Sequence, residues 1–195
     1  MTVLRPAIFL DKDGTLLEDV PYNADPARMR WAPSACAALA TLAALRMPLF
    51  VVTNQPGIAR GLLCEADMRV IEAELRARFA SCGAALAGYY YCPHDAPDGV
   101  IQCACRKPGA DMLLRAAMEH GLLLTSSWMI GDILDDVEAG SRAGCRTILI
   151  DNGNETQWRL GPGRIPSMRV RTLEAAAHAI MVATAGPSAP ERRRA

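Results

Sequence analysis

The 195-residue sequence has few aromatic side chains, no excess charge of either sign and no long apolar run. Aromatic residues make up 5% of the chain, and 21 basic side chains balance 21 acidic ones. A chain with a formal net charge of zero has no bulk attraction to nucleic acid or to a membrane surface. No stretch approaches the roughly 20 apolar residues of a membrane-spanning helix. These absences argue against nucleic-acid and membrane partners, and the length favours one compact domain with a substantial core.

A secretion signal is also missing from the start of the sequence. Residues 1–6 lack the apolar core of a signal peptide and lead directly into a predicted strand. Without such a signal, seven cysteines indicate thiols or metal ligands rather than disulfides, and the cytoplasm is the expected compartment. We interpret four of the cysteines as core or incidental thiols: Cys36, Cys64, Cys82 and Cys145.

The order of apolar runs and amphipathic segments predicts alternating strands and helices. Met68, Ile71, Leu75 and Phe79 recur at helical spacing, which predicts a helix over 65–82 with this stripe in the core. Strands separated by helices predict a three-layer, Rossmann-like α/β fold, in which helices cover both faces of a parallel sheet. We predict one domain over residues 1–182 and a mobile tail over 183–195. The other predicted strands cover 7–10, 49–52, 89–91, 128–130 and 147–150, and the other helices 33–46 and 111–120.

Two acidic residues follow the first predicted strand. Asp11 and Asp13 are two positions apart, so their side chains would point to the same side. Two carboxylates at close range repel each other unless a cation lies between them or one is protonated. The pair therefore indicates a hard metal ion such as Mg²⁺, and a carboxylate that acts as a nucleophile. Asp-x-Asp-Gly is also an ordinary turn sequence, which is the alternative at this point.

Polar residues also follow two later strands. Thr53 and Asn54 end the second strand, and Asp132 follows the strand over 128–130. In a parallel sheet, ligands bind beyond the carboxyl ends of the strands, where these side chains would meet the acidic pair. Each residue alone could instead be a helix cap or a turn residue. The three strand ends together favour a site for a metal ion and a phosphate group.

A second constellation contains cysteine and histidine. Cys92-Pro93-His94 is followed, after eight residues, by Cys103-Ala104-Cys105. Three thiolates and one imidazole match a tetrahedral Zn²⁺ site with no position left for water, which predicts a structural zinc loop over 92–105. The zinc deaminases do not match, because no glutamate occupies a His-x-Glu position here. The alternative is a loop of unrelated cysteines.

Two cations come directly after the last of these cysteines. A metal-bound loop would hold Arg106 and Lys107 in a fixed place. Lysine is a compact charge suited to a phosphoryl oxygen, and arginine offers two parallel donors. The alternative is a basic pair in front of a helix. Beside the polar strand ends, the pair favours recognition of a phosphorylated ligand.

Four short motifs resemble those of the haloacid-dehalogenase superfamily, and the resemblance covers the chain from about Ala7 to Ile150. The motifs are DKDGT at 11–15, TNQ at 53–55, RKP at 106–108, and GD at 131–132 with Asp136. A zinc-containing subgroup of heptose-bisphosphate and histidinol-phosphate phosphatases is similar in three longer segments: TNQPGIARG at 53–61, YYCPH at 90–94 and CACRKP at 103–108. The resemblance implies a monomeric, Mg²⁺-dependent phosphomonoester hydrolase for a small phosphorylated sugar. No large cap domain is expected, and the zinc loop would take its place.

The resemblance implies a role for each acidic motif residue. Asp11 would attack phosphorus to form an aspartyl-phosphate, and Asp13 would protonate the leaving oxygen and then activate water. The Asp11 side chain, the Asp13 carbonyl and Asp132 would hold Mg²⁺.

The remaining motif residues would bind the substrate. The resemblance implies that Thr53 and Lys107 hold the phosphoryl oxygens, with Asn54 beside them, and that Arg106 recognises the rest of the substrate. In the short insert after the first strand, Asp19 and Tyr22 match positions that contact the sugar in the family.

This chain departs from the family pattern at two places. Ile133 stands where the family usually has lysine, and Val20-Pro21 stand where His-Gly is frequent. An isoleucine binds no anion, so the first departure concerns recognition of a second phosphate, whereas the catalytic set is complete. The implied substrate is a heptose 1,7-bisphosphate of nucleotide-activated heptose synthesis, and the enzymatic alternative is another sugar or polyol phosphate such as histidinol phosphate. Two hypotheses from other functional classes are a non-catalytic phosphosugar-binding protein and a zinc-loop interaction module, and neither would release phosphate with Mg²⁺.

Overall fold

A computed structural model of the chain describes residues 3–185. Within this range it contains six strands and five α-helices, joined by loops and short 3₁₀ turns. In chain order the elements are β1 (Ile8–Leu10), α1 (Ala35–Ala44), β2 (Leu49–Asn54), α2 (Glu65–Ser81), β3 (Leu86–Cys92), α3 (Asp111–His120), β4 (Trp128–Gly131), α4 (Leu134–Arg142), β5 (Arg146–Ile150), β6 (Met168–Val170) and α5 (Leu173–Ala185).

The six strands form one parallel sheet in the order β3-β2-β1-β4-β5-β6. The chain builds outward from β1 to β3, then crosses back to place β4 on the other side of β1. The strand order therefore reverses between β1 and β4, and a doubly wound sheet has its ligand crevice at such a reversal. The predicted parallel α/β fold is confirmed.

Alternate residues of a strand face two different helical layers. Ile8 and Leu10 pack in a core with residues of α1, α2 and α5, whereas Phe9 packs in a second core with residues of α3 and α4. Successive side chains of a strand point to opposite faces, so a sheet that is covered on both sides needs apolar residues at every position. The unbroken apolar run of β1 satisfies this need and explains the three layers.

The helical stripe of α2 is buried as predicted, but the end of the chain is more regular than its sequence suggests. The sequence pattern does not predict β6, which has three residues and no fully buried side chain, or the alanine-rich α5. Because α5 extends to Ala185, it contains the first three residues of the predicted tail. The rest of that tail, residues 186–195, lies outside the described residues. No helix within residues 3–185 is long and apolar enough to cross a lipid bilayer.

The prediction that the cysteines outside the zinc loop are thiols is wrong for two of them. Cys36, in the first turn of α1, and Cys82, at the end of α2, form a disulfide. Both helices pack on the same face of the sheet, which brings the two Cα atoms to 5.3 Å, a normal distance for this bond. Cysteine spacing alone does not reveal a pairing that depends on how two helices pack. Cys64 and Cys145 are free thiols.

Candidate functional site

Three carboxylates meet where the strand order reverses. Asp11 follows β1, Asp132 follows β4, and Asp136 lies in the first turn of α4. One oxygen from each carboxylate lies within 4.8 Å of the other two, and all three residues are buried. Buried carboxylate oxygens at this range are the hard ligands that Mg²⁺ prefers. The Asp13 side chain is not part of this cluster, whereas Asp136, for which the sequence predicts no role of its own, belongs to it.

The pKa values of the cluster show how costly its negative charge is. Burial raises the pKa of Asp11 well above its ordinary range, and the neighbouring carboxylates raise it further against the opposing effect of Lys107. Burial, together with Asp136, raises the pKa of Asp132 to about 6, although hydrogen bonds from Asn154 and Thr15 oppose this shift. A cation between the carboxylates would favour their charged forms. The electrostatics of the site therefore favour a bound metal ion.

Lys107 places its ammonium group between two of these acids. Its Nζ contacts Asp11, lies 2.6 Å from Asp136 Oδ1 and donates to the Val52 carbonyl at 3.1 Å. The ammonium group thus hydrogen-bonds to Asp11 and to the Val52 carbonyl and forms an ion pair with Asp136, and the residue is 3% exposed. Burial lowers the pKa of Lys107, but Asp11 and Asp136 raise it by more, so that the net pKa lies above its usual range. The acid cluster therefore contains a permanent cation.

Asn54 and Gln55, at the end of β2, support the groups around them. Asn54 Oδ1 accepts from the Lys107 N–H at 3.0 Å, and its Nδ2 donates to the Lys107 carbonyl at 3.2 Å. Gln55 Nε2 donates to Asp13 Oδ2 and to Thr53 Oγ1, both at 3.0 Å. Asn54 therefore fixes the backbone of the buried lysine. Gln55 lies in the TNQ motif, but the sequence predicts no role for it, and its contacts with Asp13 and Thr53 assign it one.

A cavity of about 200 Å³ lies over the acid cluster. Its wall combines seven of the predicted residues with Ile133 and Asn154; the seven are Asp11, Asp13, Asp19, Thr53, Asn54, Lys107 and Asp132. The topology explains this assembly, since most of these residues follow the carboxyl ends of neighbouring parallel strands.

The remaining substrate residues of the prediction lie outside this first cavity. A second cavity of about 240 Å³ shares Asp13, Asp19 and Asn54 with the first, and Tyr22 lies in its wall. Arg106 lines neither cavity, because its Nη1 donates to the His94 carbonyl at 3.0 Å. The structure thus places Tyr22 next to the site, whereas the Arg106 side chain contacts the zinc loop.

The four predicted zinc ligands form a compact cluster. Cys92 Sγ lies 3.0 Å from Cys105 Sγ and 3.7 Å from Cys103 Sγ, and His94 Nδ1 lies 3.3 Å from Cys105 Sγ. All four ligand atoms lie within 4.8 Å of one another. A tetrahedral Zn²⁺ with bonds of about 2.3 Å to sulfur needs sulfur atoms roughly 3.8 Å apart. The donor set and its size therefore fit Zn²⁺.

Arg60 connects the zinc loop to the insert after β1. Its guanidinium donates to both oxygens of Asp95, at 2.7 and 2.8 Å, and contacts the Tyr22 hydroxyl. The hydrogen bonds from Arg60 lower the pKa of Asp95 to about 2. Because Asp95 directly follows the zinc-cluster residue His94, this contact fixes the two loops at the mouth of the site relative to each other.

Comparisons with known proteins agree with this geometry. A family model described as HAD-hydrolase-like matches residues 104–176. A D-glycero-beta-D-manno-heptose-1,7-bisphosphate 7-phosphatase of Rhodopseudomonas palustris is 36% identical over 144 residues, which cover 72% of this chain and 80% of that protein. The protein of the same name from Escherichia coli K12 is 36% identical over 154 residues, which cover 76% and 80%. The crystal structure of D,D-heptose 1,7-bisphosphate phosphatase from B. bronchiseptica, complexed with magnesium and phosphate, has a TM-score of 0.79 and 30% identity, covering 91% of this chain and 99% of that one.

Proposed function

Because this chain belongs to the heptose-bisphosphate phosphatase family of the haloacid-dehalogenase-like hydrolases, we propose that it removes the 7-phosphate of D-glycero-D-manno-heptose 1,7-bisphosphate in a Mg²⁺-dependent reaction. The observation that carries the proposal is the buried acid cluster with Lys107 at the reversal of the sheet. The product would be a heptose 1-phosphate, the form that a nucleotidyltransfer reaction consumes.

The acid cluster fits Mg²⁺, because two of its buried carboxylates, those of Asp11 and Asp132, offer oxygens within 4.8 Å of each other. In our proposal the Asp11 and Asp132 side chains and the Asp13 carbonyl hold the ion. Asp136 binds Lys107 instead, at 2.6 Å. When bound, Mg²⁺ would reduce the repulsion between the carboxylate nucleophile and the anionic phosphate.

Of the two acids of the first motif, Asp11 is the nucleophile and Asp13 is the general acid and base. An Asp11 oxygen forms a bond to phosphorus while the bond from phosphorus to the sugar oxygen breaks, and Asp13 gives its proton to that oxygen. Water then attacks phosphorus as Asp13 takes its proton, which releases phosphate and restores Asp11. Lys12, at 2.6 Å, and Gln55, at 3.0 Å, orient the Asp13 carboxyl group for both transfers.

Cationic and polar donors would hold the phosphoryl group. Thr53 and Lys107 line the cavity beside Asp11, and their hydroxyl and ammonium groups would donate to oxygens whose charge redistributes in the transition state. Lys107 would exchange part of its contact with Asp11 for the phosphoryl oxygen. Its bonds to Asp136 and to the Val52 carbonyl would keep it in place.

A substrate with a single phosphate is the second candidate. Ile133 lines the cavity at the position where the family usually has lysine, and Arg106 points to the zinc loop. Such a wall favours the neutral part of a sugar or polyol monophosphate, histidinol phosphate included. A phosphate-release panel containing both anomers of the heptose bisphosphate, hexose phosphates and histidinol phosphate would separate the two candidates by kcat/KM.

The proposed nucleophile provides the direct test. Asp11→Asn should reduce phosphate release by about 10³-fold or more, because the covalent route is lost, and it should leave the fold intact. Asp151→Asn is the matched control: Asp151 follows β5, pairs with the exposed Arg169 and lies outside the cavity, so the activity of this variant should be unchanged. Full activity of Asp11→Asn, or no phosphate release by the wild type on any ester of the panel, would contradict the proposal.

We also propose that Cys92, His94, Cys103 and Cys105 bind a structural Zn²⁺. The short distances among the four ligand atoms support it. A closed set of four ligands leaves no position for a reacting water. The role of the ion would be to hold the segment that leads to Lys107.

A further inference from the structure

Asp132 differs from the other two acids of the cluster in how its charge is compensated. Lys107 pairs with both Asp11 and Asp136. The hydrogen bonds to Asp132 come instead from neutral groups: Thr15 Oγ1 donates to Oδ1 at 3.0 Å, and Asn154 Nδ2 donates to Oδ2 at 2.7 Å. Each carboxylate oxygen thus has one donor and keeps a further lone pair. Asp132 and Asn154 both line the cavity.

Asn154 belongs to the segment after β5, and neighbouring residues anchor this segment on both sides of the site. Asn152 Nδ2 donates to the Gly14 carbonyl at 2.8 Å, in the loop after β1. Glu155 Oε2 accepts from the N–H of Leu134 at 2.7 Å, at the start of α4. The segment is therefore attached to both loops that supply the proposed magnesium ligands. The position of Asn154 follows from these two attachments.

Gly14 leaves room for the contact between Asn154 and Asp132. Its φ of +84° lies in the left-handed region that favours glycine, and a Cβ there would overlap the Asp132 carboxylate and lie 2.6 Å from Asn154 Nδ2. The loop after β1 thus passes against this hydrogen bond without a side chain. Such close packing distinguishes the contact from a chance meeting of two surface groups.

We propose that Asn154 is a positioning residue that orients Asp132 for Mg²⁺ binding, an inference that rests on the proposed function of the acid cluster. Groups that hydrogen-bond to a metal ligand fix its orientation, and their loss typically costs about 10–100-fold in metal affinity or activity. Thr15 holds one oxygen of the carboxylate and Asn154 holds the other. Without Asn154, the Asp132 carboxylate turns about its remaining bond to Thr15, and the metal ligand is no longer fixed.

The test is a Mg²⁺ titration of Asn154→Ala by calorimetry, on zinc-loaded protein dialysed free of Mg²⁺ and without substrate. We expect the Kd for Mg²⁺ to rise about 10-fold. In a parallel assay, kcat should return to the wild-type value when Mg²⁺ is raised by the same factor, with KM unchanged. Thr156→Ala is the matched control, because it truncates a polar side chain two residues away that makes no hydrogen bond to Asp132. Asn154→Ser is a second variant, since its shorter side chain stays polar but no longer reaches the carboxylate.

Three outcomes are distinguishable. A Kd for Mg²⁺ within twofold of the wild-type value in both Asn154→Ala and Asn154→Ser would overturn the role of Asn154. A loss of kcat in these variants that excess Mg²⁺ does not restore would overturn it as well. A wild-type protein that binds Mg²⁺ but hydrolyses no phosphate ester would contradict the proposed function and leave the calorimetric comparison intact. A wild-type protein that binds no Mg²⁺ would overturn both.

Discussion

Replacing Lys107 by methionine tests whether the acid cluster depends on its single buried cation. Methionine has a similar length and no charge, so the variant removes the ammonium group and leaves the apolar part of the side chain. The side chains of Asp11 and Asp136 are 9% and 1% exposed, so little water reaches the two carboxylates that lose their partner. The expected result is a folded but much less stable protein without phosphatase activity.

The size of the effect follows from this burial. Removing one partner of a buried ion pair costs about 3–5 kcal/mol, because the remaining charge is left desolvated. For a chain of this length, each kcal/mol lowers the Tm by about 2–4 °C, so the Tm should fall by about 6–20 °C at pH 8 without added Mg²⁺. Saturating Mg²⁺ should restore part of this loss, since a divalent cation compensates Asp11 in place of the lysine.

Lys12→Met is the matched control for this experiment. Lys12 is as buried as Lys107, at 3% exposure, but its partner Asp13 has a side chain that is 29% exposed. Water therefore solvates the carboxylate left behind, and the cost should be near the 0–1 kcal/mol typical of exposed pairs, roughly 0–4 °C in Tm. Thermal unfolding of both variants, followed by circular dichroism, measures the difference. Equal losses in the two variants, or an unchanged Tm in Lys107→Met, would refute the reasoning.

Two further predictions concern the two metal sites. Stabilisation by Mg²⁺, measured as the Tm difference with and without saturating Mg²⁺, should be larger at pH 7.5 than at pH 5. Burial and Asp136 raise the pKa of Asp132 to about 6, so the folded metal-free protein binds a proton that the unfolded chain has released. The stability of the metal-free protein therefore falls as the pH rises through about 4 to 6. An equal difference at the two pH values would contradict this linkage. Cys105→Ser should lower zinc content, Tm and activity together, because the cluster holds the segment that leads to Lys107. Cys64→Ser is the control at an exposed free thiol: zinc content and activity should be unchanged and the Tm should not fall, since Cys64 is the N-cap of α2 and serine is favoured there. An unchanged Tm with full activity in Cys105→Ser would end the structural-zinc proposal.

The sheet and the acidic strand ends are predictable because they depend on local patterns. Ala7–Leu10 is apolar at every position, as a strand covered on both faces must be, and Asp11 follows it directly. Once the strands are parallel, their carboxyl ends meet at one edge. The convergence of Asp11, Thr53 and Asp132 therefore requires no knowledge of loop geometry.

The rest of the site depends on contacts that no local pattern encodes. Asn154 lies in an irregular segment and reaches Asp132 only because residues on either side of it attach to two other loops. Arg106 follows the zinc cluster in sequence, but its direction is set by the His94 carbonyl, which its guanidinium binds. The bond between Cys36 and Cys82 likewise depends on the packing of two helices. Sequence spacing indicates residue types near a site, and tertiary contacts decide where each side chain points.

The two buried lysines have a practical consequence for chemical labelling. Lys12 and Lys107 are the only lysines of the chain, and the other 19 of its 21 basic residues are arginines. Apart from the terminal amine, the amines that an acylating reagent can modify therefore lie in the walls of the two cavities: Lys107 lines the first and Lys12 the second. Each amine must first separate from its carboxylate partner and lose a proton before it reacts. The rate of acylation, followed by mass spectrometry, would therefore report how often these ion pairs open, with and without bound ligand.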